Sequence, residues 1–361
     1  MREPSSSEPG PRSSELVERG DIDALTFYVN ELVGSREWDE LATLRERCRS
    51  ALERGKQLWA VAAYIEYRLC LEAPADWAAS MLENGTGRFA FGPLPEVAAS
   101  AHTWSELSPH LHATPQAAMA AHERVVRGDD LTADDVVARL PAVLDLPWRL
   151  QSWEPRYALP DYHADKVESP APRLPPLERV GGPPPVQASR RRGARTSANG
   201  RTAPNGQAPH VTRDEVSLAL EDLVSTWTAE SNGRADAVSV EGQAADAVIA
   251  LGARLTHVAE LAPADALAIM AWAAGDGGAY GRRRGSAPGR FAAWWVVAAL
   301  GDLTDAWPPP SDALGGVLRG VRWYEWGSGE PATGWALRLA VEATEGPRRG
   351  RAWAVSATDA S

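Results

Sequence analysis

Between residues 164 and 211 the chain loses every hydrophobic period. Nine prolines fall there, with glycine, serine and asparagine between them and few large apolar side chains. Proline fixes φ and removes a backbone donor, so such a run completes neither a helix interior nor a central strand. No regular pattern crosses it. What folds before residue 164 is therefore read separately from what folds after 211, with 164–211 expected as a Pro/Gly/Arg-rich flexible linker.

The first half reads as helices. Residues 1–14 lack an apolar core and are expected to be a disordered tail. From Leu16 to Val33, apolar residues at 22, 25, 29 and 32 mark one helical face, closed at Gly34. Trp38, Leu41, Leu44, Cys48 and Leu52 form the next stripe, and Leu58, Val61, Ile65 and Leu69 the third. Short connections imply antiparallel neighbours, so 15–163 is expected to be an α-helical domain, a bundle or solenoid-like hairpins. Thr103 with Glu106 has the form of a capping box, and Thr114 and Thr132 stand where helix caps belong. From Pro141 to His163, prolines alternate with aromatics, which predicts an extended segment packed across the helices.

Residues 212–361 predict a small α+β domain. Thr212-Arg-Asp-Glu215 resembles a second capping box. Helices are expected over Gln243–Leu255, from Ala262 with Pro263 in the first turn, and over the apolar run Phe291–Leu300. The last forty residues change to a two-residue period. Arg322–Trp326, Gly334–Glu342 and Arg351–Ser356, separated by Gly/Pro turns, predict a three-stranded antiparallel meander. Trp335, Leu337, Leu339 and Val341 would share a face packed on the 291–300 helix.

One stretch combines backbone freedom with concentrated charge. Gly275 to Leu300 reads GDGGAYGRRRGSAPGRFAAWWVVAAL, with arginines 282, 283, 284 and 290 standing at the start of an apolar helix. A helix beginning near Ser286 would point its unpaired N–H groups and positive dipole end at the loop. Arginine forks beside them would suit a phosphate or carboxylate. Gly281, Arg282, Arg283, Arg284, Gly285, Ser286 and Arg290 are thus a candidate anion-binding set. Neither phosphate-loop pattern is met: no lysine precedes Ser286, and Tyr280 stands where the dinucleotide fingerprint needs glycine. The plainer reading is a surface connection whose arginines are solvated or pair with the chain's own acids.

Composition narrows the alternatives. The net charge of −11 argues against the whole molecule binding nucleic acid, although the basic run 189–195 could touch phosphate backbones electrostatically. No apolar run approaches a membrane span, and the N-terminal stretch is no signal peptide, so a cytoplasmic protein is expected. Cys48 and Cys70 sit on apolar helical faces, as buried free thiols do. Four of the seven histidines fall within 102–122 (His102, His110, His112, His122), but without zinc-site spacing. No metal or cofactor is expected, and no nucleophile elbow or kinase signature appears.

Arg36–Leu41, Leu94–Ser100, Gly281–Trp295 and Gly334–Ala340 resemble stretches of an uncharacterised family of proteins from high-GC actinobacteria. That resemblance implies a cytoplasmic bacterial protein and no particular chemistry. The reading that follows is a non-enzymatic interaction or regulatory protein, taking an anionic small molecule or an acidic protein surface at the arginine/glycine loop. Its alternatives are an enzyme with a site between the halves and nucleic-acid association through the linker.

Overall fold

The computed structural model describes residues 11–88, 90–180, 211–329 and 334–360. Its contacts divide the chain into two compact units. The first takes residues up to 143 together with 147–150 and 159–169, and the second takes 144–146, 151–158 and everything from 170 onward. This differs from a division at 163. Residues 151–158, expected across the N-terminal helices, belong to the C-terminal unit.

The N-terminal unit is helical: α1 (Pro11–Arg19), α2 (Ile22–Ser35), α3 (Trp38–Glu53), α4 (Trp59–Glu72), α5 (Ala75–Asn84), α6 (Leu94–Ala101), α7 (Trp104–Leu107) and α8 (Pro115–Val126). The helix expected over 16–33 is two, because Gly20 turns the chain at positive φ and Asp21 caps α2 by accepting from the Ala24 amide. Residues 11–14, expected within the tail, instead open α1, which buries Ser13 and Val17; residues 1–10 lie outside the described residues. Leu25, Val29, Leu41, Leu44, Cys48, Val61, Ile65, Leu69 and Cys70 form the core. Both cysteines are free and buried, and burial pushes the Cys48 thiol up to about 12. The capping box at Thr103 and the Thr114 cap of α8 are present. No α-helix follows Thr132. There Asp134 holds the Val136 and Val137 amides and the Trp104 indole, and the chain makes only turns and a 3-10 turn over Val137–Arg139.

The stretch expected as a linker is partly built into both units. A two-stranded ribbon pairs β1 (Asp161–Tyr162) with β2 (Val167–Glu168), and β3 (Glu178–Arg179) joins the large sheet of the C-terminal unit. Residues 181–210, with the basic run 189–195, lie outside the described residues.

The C-terminal unit contains α9 (Glu215–Asp222), α10 (Ser225–Ala229), β4 (Arg234–Glu241), α11 (Ala244–Ala250), β5 (His257–Leu261), α12 (Pro263–Gly275), α13 (Ser286–Gly301), α14 (Ser311–Arg319), β6 (Val321–Gly327), β7 (Trp335–Ala343) and β8 (Arg351–Asp359). The meander β6–β7–β8 is present as the middle of a six-stranded antiparallel sheet of order β3-β5-β6-β7-β8-β4. The cap of α9 is Asp214 rather than Thr212, whose backbone instead bridges Ser239. The helix expected over 243–255 stops at Ala250, and the next five ordered residues at 257–261 are a strand.

Strand alternation gives the sheet two different faces. Trp323, Leu337, Leu339, Val341, Trp353 and Val355 point to one face and are buried. There Trp353 donates its indole N–H to Asp214 at the head of α9, and α12 lies on β5, β6 and β7. The apolar helix α13 packs mainly on α12, α9 and α14 rather than on the meander as expected. Arg322, Tyr324, Trp326, Arg338, Ala340, Glu342, Ala352 and Ala354 point the other way. Among the described residues, α11, seven residues long, and the turn after it pack on that second face.

Candidate functional site

The glycine–arginine loop is folded on itself and on its own unit. Gly275 ends α12 and its carbonyl accepts from the amides of Arg284 and Gly285. Gly285 caps α13 at φ 115°, a conformation that favours glycine. The loop amides are taken by side chains of the same unit: Gly278 donates to Asp276, Ala279 to Asp359, Tyr280 to Ser231 and Arg282 to Glu230. Three carboxylates of the unit, Asp276, Asp359 and Glu230, thus accept from loop amides at 278, 279 and 282.

The four guanidinium groups go to separate partners. Arg283 lies 3.4 Å from Asp276 and donates to Ser286, both buried with it. Arg284 reaches Ser225, and Arg282 is exposed. Arg290 is fully buried and grips Glu154 with Nε and Nη2, at 2.7 and 2.8 Å. Glu154 also accepts from the Trp294 indole, the Tyr157 hydroxyl and the Gln151 amide. Burial, with the Glu154 carboxylate beside it, pushes the Tyr157 hydroxyl well above its usual range. Arg290 therefore anchors residues 151–158 on α13, and of the set only Arg282 and Arg284 face solvent.

A different place in the same unit is open. Between α11 and the thinly covered face of the sheet lies a cleft of about 220 Å³. Val180, Leu255, Val258 and Trp326 line one part of it, Ala244, Ala245, Val248 and Ala340 the walls, and Gln243, Arg322, Tyr324 and Glu342 its polar part. The polar groups form one network. Arg322 donates Nε and Nη2 to the two oxygens of Glu260 and Nη1 to Glu342 Oε1 at 3.1 Å. Tyr324 donates its hydroxyl to the same Glu342 oxygen at 2.9 Å, and among the described residues Glu342 Oε2 accepts the Ala244 amide alone, at 3.1 Å.

The family comparison matches the chain from residue 24 to 361, through both units, to a model described as a family of unknown function. The chain belongs to DUF6183. No curated protein matches it, and no solved structure does.

In this DUF6183 chain the electrostatics of the cleft follow from its pairing. The hydrogen bonds from Arg322 hold the Glu260 carboxyl below its usual range, and the same bonds raise the guanidinium still further. Burial, then the hydrogen bond to Glu342, pushes the Tyr324 hydroxyl up, so it remains a donor at neutral pH. The guanidinium carbon of Arg322 lies 5.4 Å from the centre of the Tyr324 ring, and that of Arg338 5.9 Å from Trp326. The cleft thus offers an apolar surface, two aromatic rings and a balanced Arg–Glu pair. Among the described residues its lining contains no serine, threonine, cysteine or histidine.

The histidines of 102–122 go to separate uses. His102 bonds the Cys70 carbonyl, His112 pairs with Glu83, and His122 stacks on Trp148 with ring centres 4.1 Å apart. Among the described residues no three His, Cys, Asp or Glu side chains are grouped to hold a metal ion. No described helix is long and apolar enough to cross a membrane. The cleft residues escaped sequence reasoning as a group because they come from α11, the turn after it, β5, β6 and β7, and from Val180. Sequence placed Gln243–Leu255 on a helix and Arg322–Trp326 and Gly334–Glu342 on strands, but not their meeting at one cleft.

Proposed function

We propose that this chain is a non-enzymatic binding protein whose C-terminal unit takes a small molecule in the cleft between α11 and the sheet. One observation carries the reading. A concave, largely apolar space with a few convergent polar groups is what ligand sites share, and here it lies on the one sheet face that the helices leave thinly covered. The lining supports binding over catalysis: its acid, base and hydroxyl are engaged with one another, and Tyr324 is held protonated.

The test is a small-fragment screen read by thermal shift on the full chain and on Ala245→Trp. Ala245 lies on the half-buried side of α11, and an indole there would fill the cleft while keeping a good helix position. Fragments that raise the melting temperature of the native chain should lose their effect on the filled variant. Equal shifts in both would remove the cleft as the site.

A second reading keeps the arginine loop as a protein contact. The exposed side chains of Arg282 and Arg284 meet no carboxylate among the described residues, so they favour an acidic partner surface over a bound phosphate.

A further inference from the structure

Taking the cleft as the binding site, we infer that its ligand is a small, neutral, planar molecule whose polar edge sets a carbonyl beside an N–H, as in an amide or a lactam ring. The inference rests on that reading and adds the chemistry of the ligand. Size comes first. A dry cavity of roughly 150 Å³ accommodates benzene, so about 220 Å³ takes one ring and a short head group. Tyr324, Trp326 and Leu255 supply the apolar and aromatic surface for the ring.

The head group follows from hydrogen bonds left over. Arg322 uses three of the five guanidinium N–H bonds on Glu260 and Glu342, which leaves two. Glu342 Oε1 is doubly engaged, but among the described residues Oε2 accepts the Ala244 amide alone and keeps a lone pair. The cleft therefore presents a spare donor and a spare acceptor on adjacent side chains. An amide edge answers both at once.

Charge argues the same way. The two charged lining residues, Arg322 and Glu342, offset each other. Glu260 stands outside the lining, more than half exposed, with both oxygens on Arg322, so water screens it. A carboxylate in the cleft would face Glu342, and an ammonium would face Arg322. Either would give up its hydration without net compensation, whereas a neutral amide has far less to lose.

Four compounds of one ring and nearly one size separate these cases: benzamide, benzoate, benzylamine and toluene. Each is titrated into the full chain labelled with ¹⁵N-tryptophan, following the indole N–H of Trp326 assigned through Trp326→Phe, and again in the Ala245→Trp background. Benzamide should shift the Trp326 resonance saturably, with benzoate and benzylamine weaker by about tenfold or more, and the shift should vanish in the filled variant. Benzoate or benzylamine binding as well as benzamide would overturn the amide-edge inference while leaving the cleft as the site. A benzamide shift that survives Ala245→Trp, or no shift with any of the four, would overturn the cleft itself.

Discussion

Glu154 shows what a single residue does in this fold. Its buried carboxylate accepts five hydrogen bonds, two of them from Arg290, which stands 136 positions later. A buried pair of this kind is no great source of stability in itself, because two charges have left water to form it. Breaking it is another matter, since the remaining charge is stranded. Glu154→Ala should lower the unfolding free energy by about 3–5 kcal/mol, measured by urea titration of tryptophan fluorescence. The double change Glu154→Leu with Arg290→Met should lose less than the single one. A single variant as stable as the parent would show that the pair is not closed in solution. None of this was legible beforehand. Arg290 reads as the fourth arginine of a basic loop because periodicity sees its neighbours and not its partner, and Glu154 carries no local signal at all. Cys48 and Cys70 were legible, because burial of a small side chain on an apolar helical stripe is a local property.

At the level of elements, local chemistry and tertiary pairing compete openly. Helices α3, α4, α8, α12 and α13 begin and end near where stripes, caps and glycines place them. The elements that were missed needed distant partners. β5 is five residues of mixed character that become a strand because β3 and β6 flank them. Ala237–Val240 reads as a short strand by itself, but nothing in sequence joins β3, β4 and β5 to the meander they extend, from which they lie far along the chain. Asp214 displaces Thr212 as a cap because the Trp353 indole and Arg351 also need its carboxylate. The packing of α12 on α13 gives an element-scale test. Gly289 stands at the crossing, where a Cβ would collide with the Ala271 carbonyl. Helix propensity favours Gly289→Ala by about 1 kcal/mol, but overpacking a tight contact costs about 1–3 kcal/mol. The collision is with backbone, which yields less readily than a side-chain end, so a net loss of thermal stability is expected. A gain would mean that the two helices sit further apart than described.

Over the whole molecule, two units fold from one chain, and the family to which it belongs spans both. The expected α-helical first half and α+β second half describe them well in class. The boundary was less legible, because residues 151–158 follow the helices in sequence and belong by contact to the later unit. The candidate site shifted furthest. Charge density in sequence drew attention to the arginine loop, three of whose amides bond carboxylates of the same unit. The cleft lies instead between a short helix and the sheet, and no composition or spacing marks such a place. The central claim is that this space is made to be filled. A crystallographic soak with benzamide tests it directly: the account predicts density for the ring between α11 and strands β6 and β7, with its amide against Arg322 and Glu342. An empty cleft in crystals where benzamide is ordered elsewhere on the chain would contradict it.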